Sequence, residues 1–380
     1  MLILHIIIGL NTGGAEMSLM RLIDAHSESR YYKHHVVSLT SLGNIGLLLR
    51  KNGIPVHSLN LTSILNAPYV FFKLLKIIYF TKPSVVHTWM YHANFLGGLA
   101  TLVTGNRNII WAIHNSDISV KNGTAISTKY IMKISSFLSY IIPNRIVCVS
   151  NTSASAHIKY GYKKSIISII PNGFDIQKIK SSANIEERIK IRELLNISDD
   201  YILVGSVGRY NDYKDYPTFI RAAAIILKLN RKVKFLLIGK NLDQENQSLM
   251  DQINNTGHAE NFILIGEQSN IPLYLAAMDI FCLHSISEGF PNVLGEAMCM
   301  ALPCITTNAG DSALMLRNPH LICPVEDPYT LANKILNLIS MNETERKKIG
   351  KELENIIERN YTIQKIRELY ETLYSKVLNT

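Results

Sequence analysis

The chain has 380 residues, 47% of them apolar and 18% charged, which is enough to bury the cores of two ordinary domains and excludes a disordered or fibrous protein. Its net charge of +9 is lopsided: residues 1–175 carry 16 Lys/Arg against 5 Asp/Glu, and residues 176–380 carry 23 against 25. The five cysteines (Cys148, Cys282, Cys299, Cys304 and Cys323) form no C-x-x-C pair, which argues against a disulfide framework or a zinc site and fits reduced thiols buried in a cytoplasmic protein.

Strand-like apolar runs alternate with helix-like segments throughout, the pattern of parallel α/β sheets. The first ten residues are apolar but lack a basic flank and a cleavage site, so 2–9 reads as a buried strand rather than a leader or a membrane span. A helix over 15–25, a strand at 35–39, a helix over 46–52 and a strand at 56–59 follow. Then come a greasy helix near 68–80, a strand at 85–88, a helix over 93–104 and a strand at 108–114. A helix over 126–141, a strand at 145–149, a helix over 151–160 and a strand at 166–170 complete one doubly wound domain. Strands at 202–207, 233–238, 262–265, 280–283, 303–306 and 321–323 make a second. The Pro171-Asn172-Gly173 turn marks the boundary, giving domains over 1–171 and 172–360. A last helix over 361–380 sets Ile363, Ile366, Leu369, Tyr370 and Leu373 on one side.

The stretch from Ser287 to Met298, SEGFPNVLGEAM, places Glu288 and Glu296 eight positions apart across a loop-to-helix junction. Pro291 has the φ favoured at a first helical position, so a helix is expected from about residue 291. Its N-terminal amides and dipole suit an anionic or hydroxyl-rich ligand, and Glu296 would lie about 7–8 Å along the axis. Arg209 and Lys214 follow the first strand of the second domain, where an open α/β sheet presents ligands. A planar guanidinium and a compact ammonium suit a diphosphate and the charge that develops as it departs. Gly13 and Gly14 join the first strand to its helix and permit close approach of a ligand; the loop is not G-x-G-x-x-G, which counts against a dinucleotide enzyme. His114 ends the fifth strand, with a capping or core role as its plain alternative.

Glu288 and Glu296, with the intervening Gly-Phe-Pro and the following Ala-Met, resemble the Glu-x7-Glu motif of the retaining glycosyltransferases of family 4, of the bacterial O-antigen and capsule type. The Gly208-Arg209 to Lys214 segment, the Gly13-Gly14-Ala15-Glu16 loop and the Pro171-Asn172-Gly173 turn resemble further family segments. The resemblance implies an α/β GT-B fold, two Rossmann-like doubly wound domains facing a cleft, with the last helix crossing back to the first domain. It implies Arg209, Lys214, Glu288 and His114 as catalytic residues, with Glu296, Gly13, Gly14, Gly289, Phe290, Asn292, Val293 and Gly266 binding the donor. The loop around Gly266 would meet the base, Glu296 the ribose and His114 the transferred sugar; Thr307 to Asp311 resembles another ligand-facing loop. Glu288 invites the role of covalent nucleophile by analogy with retaining glycosidases, whereas the family pattern implies that it orients the donor sugar. No Asp-x-Asp occurs, so no cofactor and no metal are expected, only a UDP-sugar as donor substrate.

The basic first half suggests an anionic partner. Nucleic acid is disfavoured because no recognition motif or Arg-aromatic cluster occurs. An anionic inner-membrane surface is favoured, with a lipid-linked saccharide as acceptor and a peripheral, cytoplasmic-face location. Two segments support it: 70–80, with Lys73 and Lys76, and 129–140, where Lys129, Lys133, Ser136 and Tyr140 are expected on one stripe. The plain alternative is two core helices whose lysines snorkel to water. A sugar-nucleotide epimerase or phosphorylase of the same fold, or a non-catalytic sugar-nucleotide-binding protein, remain as rivals.

Overall fold

The computed structural model describes residues 1–27, 29–116, 126–181 and 184–379. The chain divides into two units, Met1–Gly173 with Ile363–Thr380, and Phe174–Thr362. The sequence pattern put these divisions at 171/172 and 360/361.

The first unit contains β1 (Leu2–Ile7), α1 (Gly14–Ala25), β2 (Lys33–Ser38), α2 (Gly43–Lys51), β3 (Val56–Ser58), α3 (Ala67–Thr81) and β4 (Val85–Trp89). It continues with α4 (Tyr91–Val103), β5 (Ile109–Ile113), α5 (Ile126–Leu138), β6 (Arg145–Cys148), α6 (Asn151–Tyr160) and β7 (Ile167–Ile169). All strands are parallel, in the order β3-β2-β1-β4-β5-β6-β7. Alternate strand residues feed opposite faces: Ile110 and Ala112 pack with α1, α2 and the terminal helix, whereas Ile109, Trp111 and Ile113 pack with α4, α5 and α6. Val70, Leu74 and Ile78 of α3 join that second face through Leu4, Ile6 and Val86.

The second unit contains α7 (Ile176–Ser181), α8 (Ile185–Leu194), β8 (Ile202–Val207), α9 (Tyr216–Leu229), β9 (Val233–Ile238), α10 (Gln247–Asn254), β10 (Phe262–Leu264) and α11 (Ile271–Ala277). Then follow β11 (Ile280–Leu283), α12 (Asn292–Cys299), β12 (Cys304–Thr307), α13 (Ser312–Leu316), β13 (Ile322–Cys323), α14 (Pro328–Ser340) and α15 (Glu343–Asn360). Its parallel sheet has the order β10-β9-β8-β11-β12-β13. The chain ends in α16 (Ile363–Leu378), which packs on the first unit's sheet beside α1.

Three details differ from the sequence reading. Leu369 of α16 is exposed, and the buried stripe runs instead through Ile363, Ile366, Tyr370, Leu373, Tyr374 and Val377. Ser136 of α5 is buried, so it does not share the outer stripe with Lys133 and Tyr140. Pro291 caps α12 from outside rather than opening it, which puts Glu296 about 6 Å along the axis. All five cysteines are buried free thiols, and among the described residues no helix is long and apolar enough to cross a membrane.

Four of the imidazoles at the first unit's sheet, His5, His34, His87 and His114, are linked by ring contacts to one another or to Trp89. The Trp89 indole N–H can only donate, and it does so to His5 Nδ1 (3.1 Å); His5 Nε2–H is thereby left to donate to His34 Nδ1 (2.9 Å). His87 Nδ1 lies 3.1 Å from the Tyr374 hydroxyl, and His114 stacks on Trp89. Burial lowers His34 and His87 to about 3, His114 to about 4, and His5 well below its usual 6.5, with the neighbouring imidazoles adding to the fall for the first, second and fourth. These rings are neutral in the fold but bind protons once the chain unfolds. Their stabilisation is therefore complete above pH 6.5 and is lost as the pH falls towards their folded values. Each should steepen the decline in unfolding free energy by about 1.4 kcal/mol per pH unit. Urea unfolding followed from neutral to acid pH should show that slope, and His34→Gln should flatten it by one proton; a stability independent of pH there would contradict the neutral imidazoles.

Candidate active site

Each sheet has one place where the strand order reverses: between β1 and β4 in the first unit, and between β8 and β11 in the second. Loops leaving the C-terminal ends of such strands diverge and leave room for a ligand. Gly13 and Gly14 follow β1, Arg209 and Lys214 follow β8, and Glu288 follows β11; His114 follows β5, beside β4, and Gly266 follows β10, two strands from β8.

In the second unit, β8 runs into Gly208 and Arg209, and a short 3-10 turn over Asp212–Lys214 leads to α9. The Asn211 side chain accepts from the Lys214 amide (3.0 Å), which fixes the turn. From β11 the chain passes through His284, Ser285 and Glu288 to α12, and the Ile286 amide donates to Tyr213 O (2.7 Å). His284 clamps the two loops. Its Nδ1–H donates to Lys214 O (2.5 Å), leaving Nε2 to accept from the Ser206 hydroxyl (2.7 Å). Lys214 O can only accept, so Nδ1 carries a hydrogen; burial keeps the His284 pKa down at about 3, so the ring is neutral and Nε2 is free to accept from Ser206. Phe219 stacks on one side of that ring and Tyr216 meets it edge-on.

This clamp brings Lys214 Nζ to 2.5 Å from Glu288 Oε1, with the two side chains only 22% and 11% exposed. The Ser285 hydroxyl donates to the same oxygen (2.6 Å), and Ser285 O in turn accepts from the Thr307 hydroxyl (2.6 Å). The loop after β12 presses on Glu288 from behind: Gly310 has φ +57°, and a Cβ there would sit 2.0 Å from Glu288 O. A cation and a carboxylate are thus held in fixed register directly before the positive end of α12. Such a set can receive a diphosphate on the ammonium and a hydroxyl on the carboxylate.

Arg209 is exposed on the same strand end and makes no ion pair among the described residues. Asn292, Val293 and Glu296 lie partly exposed on the first turns of α12, and Gly289 precedes them. The Phe290 ring turns inward, stacked on Phe174 and tilted against Tyr361, so its side chain serves packing and leaves only its backbone for a ligand. Gly266 follows β10 with φ +66°, and its carbonyl accepts from the Gly239 amide (2.8 Å). Gly239 went unnoticed in the sequence, yet it has φ +145° and a Cβ on it would lie 2.0 Å from Gly208 O. His284, Ser285 and Ser206 were also missed; their hydrogen-bonding side chains sit in or beside apolar strands, where periodicity alone reads them as core.

In the first unit, Gly13 is extended and caps α1, with the Glu16 carboxylate folded back beneath it, 2.4 Å from where a Cβ would stand. The Ser18 hydroxyl lies 2.7 Å from both Gly14 O and Asn172 Oδ1, tying the glycine loop to the Pro-Asn-Gly turn. His114 follows β5, next to β4, and its ring stacks on Trp89 at 5.3 Å, partly open to solvent on its other side. Gly13, Gly14 and His114 therefore share the C-terminal edge of that sheet.

Two family models match. Glycosyltransferase Family 4 matches residues 12–178, and Glycosyl transferases group 1 matches residues 187–355. The chain is 26% identical over 313 residues to the UDP-Gal:alpha-D-GlcNAc-diphosphoundecaprenol alpha-1,3-galactosyltransferase of Escherichia coli, spanning 78% of this chain and 77% of that one. It is 26% identical over 316 residues, 80% of each chain, to the capsular polysaccharide biosynthesis glycosyltransferase CapM of Staphylococcus aureus. Among solved structures, HepE of Anabaena in complex with UDP matches with a TM-score of 0.84 at 22% identity, over 99% of this chain and 100% of that one. The sucrose-phosphate synthase of Thermosynechococcus elongatus matches with a TM-score of 0.79 at 16% identity, over 100% and 99%.

The glycine behind Glu288 yields a direct check. Gly310→Ala incurs both the left-handed backbone cost and the clash with Glu288 O, whereas Gly257→Ala, at φ +73° with open space around it, incurs only the first. The Gly310 variant should lose at least about 2 kcal/mol more stability than the Gly257 control in thermal unfolding. Equal losses would mean that the loop after β12 does not support Glu288.

Proposed function

From the premise that this chain belongs to the family 4, group 1 glycosyltransferases of bacterial polysaccharide biosynthesis, we propose that it moves a hexose or N-acetylhexosamine from a UDP-sugar to a lipid-linked saccharide with retention of anomeric configuration and without a metal. The enzyme has the GT-B fold. The observation that carries the reading is the convergence of Lys214 and Glu288 at the reversal point of the second sheet. The donor belongs to that unit. Arg209 and Lys214 take the diphosphate, Glu296 the ribose, and the loop at Gly266 the base. Glu288 orients the sugar. Two relatives favour the lipid-linked acceptor, since one acts on a diphosphoundecaprenol-linked sugar and the other builds capsule. Within the first unit, the Gly13-Gly14 loop and His114 are the proposed ligand-binding residues.

In the step itself, the bond from the anomeric carbon to the β-phosphate oxygen breaks while the acceptor oxygen bonds that carbon from the same face. The acceptor proton passes to an oxygen of the departing UDP. In this reading Glu288, whose Oε1 accepts from Lys214 and Ser285, orients the donor sugar and forms no covalent bond to it. Lys214 and Arg209 offset the charge that builds on the leaving diphosphate, the work an Asp-x-Asp-bound metal does elsewhere. On this reading the enzyme works at the membrane's cytoplasmic face as a peripheral enzyme.

The direct test is UDP release from a panel of UDP-sugars with a diphosphoundecaprenol-linked saccharide, with the product's anomer read by NMR. Lys214→Ala and Arg209→Ala should each lower turnover by about 100-fold, and near-normal rates in either would remove the leaving-group role. Ser285→Ala should cost about tenfold through the lost bond to a charged carboxylate, with the fold's stability little changed. Activity should survive exhaustive chelation. Conversion of UDP-sugar with no acceptor present would instead favour an epimerase.

A further inference from the structure

Between Ser29 and Phe174 the sequence contains 15 Lys/Arg and a single acidic residue, Asp117, which lies outside the described residues. The first unit's other acids are Glu28, also outside the described residues, and Glu16, Asp24, Glu368 and Glu371, which ride on α1 and α16. Those two helices, together with α2, cover one face of the sheet. The other face is covered by α3, α4, α5 and α6, none of which contains an Asp or Glu. The sheet therefore separates a face carrying acids from one whose helices carry none.

On the acid-free face, α3 packs against α4, and α4 against α5, so the three helices form one layer. The outward stripe of α3 is Tyr69, Phe72, Lys73, Lys76, Tyr79 and Phe80, all exposed. The outward stripe of α5 and the turn after it is Tyr130, Lys133, Ile134, Phe137, Tyr140 and Ile141, also exposed. Both follow the same spacing of i, i+3, i+4, i+7, i+10 and i+11, which on α3 is one helical face about 16.5 Å long. Phe72 is 67% exposed and Phe137 69%, and Lys73 Nζ sits 4.4 Å over the Tyr69 ring. Large apolar side chains gathered beside lysines and left in water mark a docking face.

We infer that this twin-stripe face of α3 and α5 lies on an anionic lipid bilayer, with Phe72 and Phe137 entering the headgroup boundary, tyrosines at its level and lysines meeting lipid phosphates. Charge decides between occupants. A second copy docked through the same face would set lysine against lysine with no carboxylate to answer it. An anionic leaflet supplies the missing negative charge, and the exposed rings and aliphatic side chains find a partly apolar medium. The inference extends the lipid-linked acceptor reading by naming the surface that would hold the enzyme where that acceptor is, but its test does not use the acceptor.

The full chain is mixed with phosphatidylglycerol–phosphatidylcholine vesicles or pure phosphatidylcholine vesicles and sedimented. Wild type should partition at least about tenfold more strongly to the anionic vesicles at low salt, with the preference fading as salt rises. The charge reversal Lys73→Glu, Lys76→Glu, Lys133→Glu should abolish the preference, and Phe72→Ser with Phe137→Ser should weaken anionic binding by about tenfold. Thermal unfolding and UDP release on a water-soluble acceptor sugar should be unchanged in both variants, because no stripe residue belongs to the proposed donor site. Equal binding of wild type and variants would overturn the inference, as would a concentration-dependent dimer in analytical centrifugation that the same substitutions dissolve. Loss of vesicle binding with donor chemistry intact isolates this face. Absent donor chemistry with intact vesicle binding would count against the glycosyltransferase mechanism alone.

Discussion

The candidate site depends on one buried imidazole. His284 ends a strand, yet its two ring nitrogens are bonded to Ser206 on the neighbouring strand and to the backbone of Lys214 beyond it. That pair of bonds ties the loops after β8 and β11 together, and in the neutral ring it fixes the tautomer with hydrogen on Nδ1. Everything reactive is then a consequence of register. Lys214 reaches Glu288 because its own carbonyl is anchored, and Ser285 reaches Glu288 because its carbonyl is held by Thr307. Burial that would be costly for a charged imidazole becomes useful, since it keeps the ring neutral and its hydrogen-bond direction fixed.

Glycine plays the complementary part of making room. Gly239 lets the loop after β9 approach the Gly208 carbonyl, Gly310 lets the loop after β12 touch Glu288, and Gly295 admits the Phe174 ring against α12. The first two also have φ values that side chains adopt only under strain. The site is thus enclosed by backbone at van der Waals distance rather than by large side chains. Such an arrangement keeps the carboxylate in place while leaving its ligand side open.

Legibility in the sequence followed the range of the interactions involved. Strand positions were readable because a buried parallel strand is a continuous apolar run, and each of the thirteen strands among the described residues overlaps such a run. The pairing of Glu288 with Lys214 was not, because 74 residues separate them and only the strand order brings them together. Helical faces were half legible. The stripe of α16 was placed correctly at Ile363, Ile366, Tyr370 and Leu373 but drifted onto Leu369, while Tyr374 and Val377, which continue the same 3.6-residue repeat, were passed over. Ser136 was misplaced for a different reason: a hydroxyl that bonds back to Lys133 O can be buried as comfortably as an alanine. The Asn342–Glu345 capping box of α15 was a local signal present in the sequence and simply not used.

The first unit shows how a sheet can sort charge as well as apolar side chains. Strand alternation sends Ile110 and Ala112 to one side and Ile109, Trp111 and Ile113 to the other, and each side then recruits its own helices. Because the four helices on one side come from the middle of the unit, and the other side takes α1 and α2 from its beginning and α16 from its end, a local bias in composition becomes a difference between faces. The acids at the chain's ends gather on the α1 and α16 side, beside the buried His26 that meets Glu371 at 3.3 Å. The long acid-poor middle supplies the opposite layer. A doubly wound topology thus converts order along the chain into sidedness in space, so a charge asymmetry visible in one dimension acquires a direction once the crossovers are known.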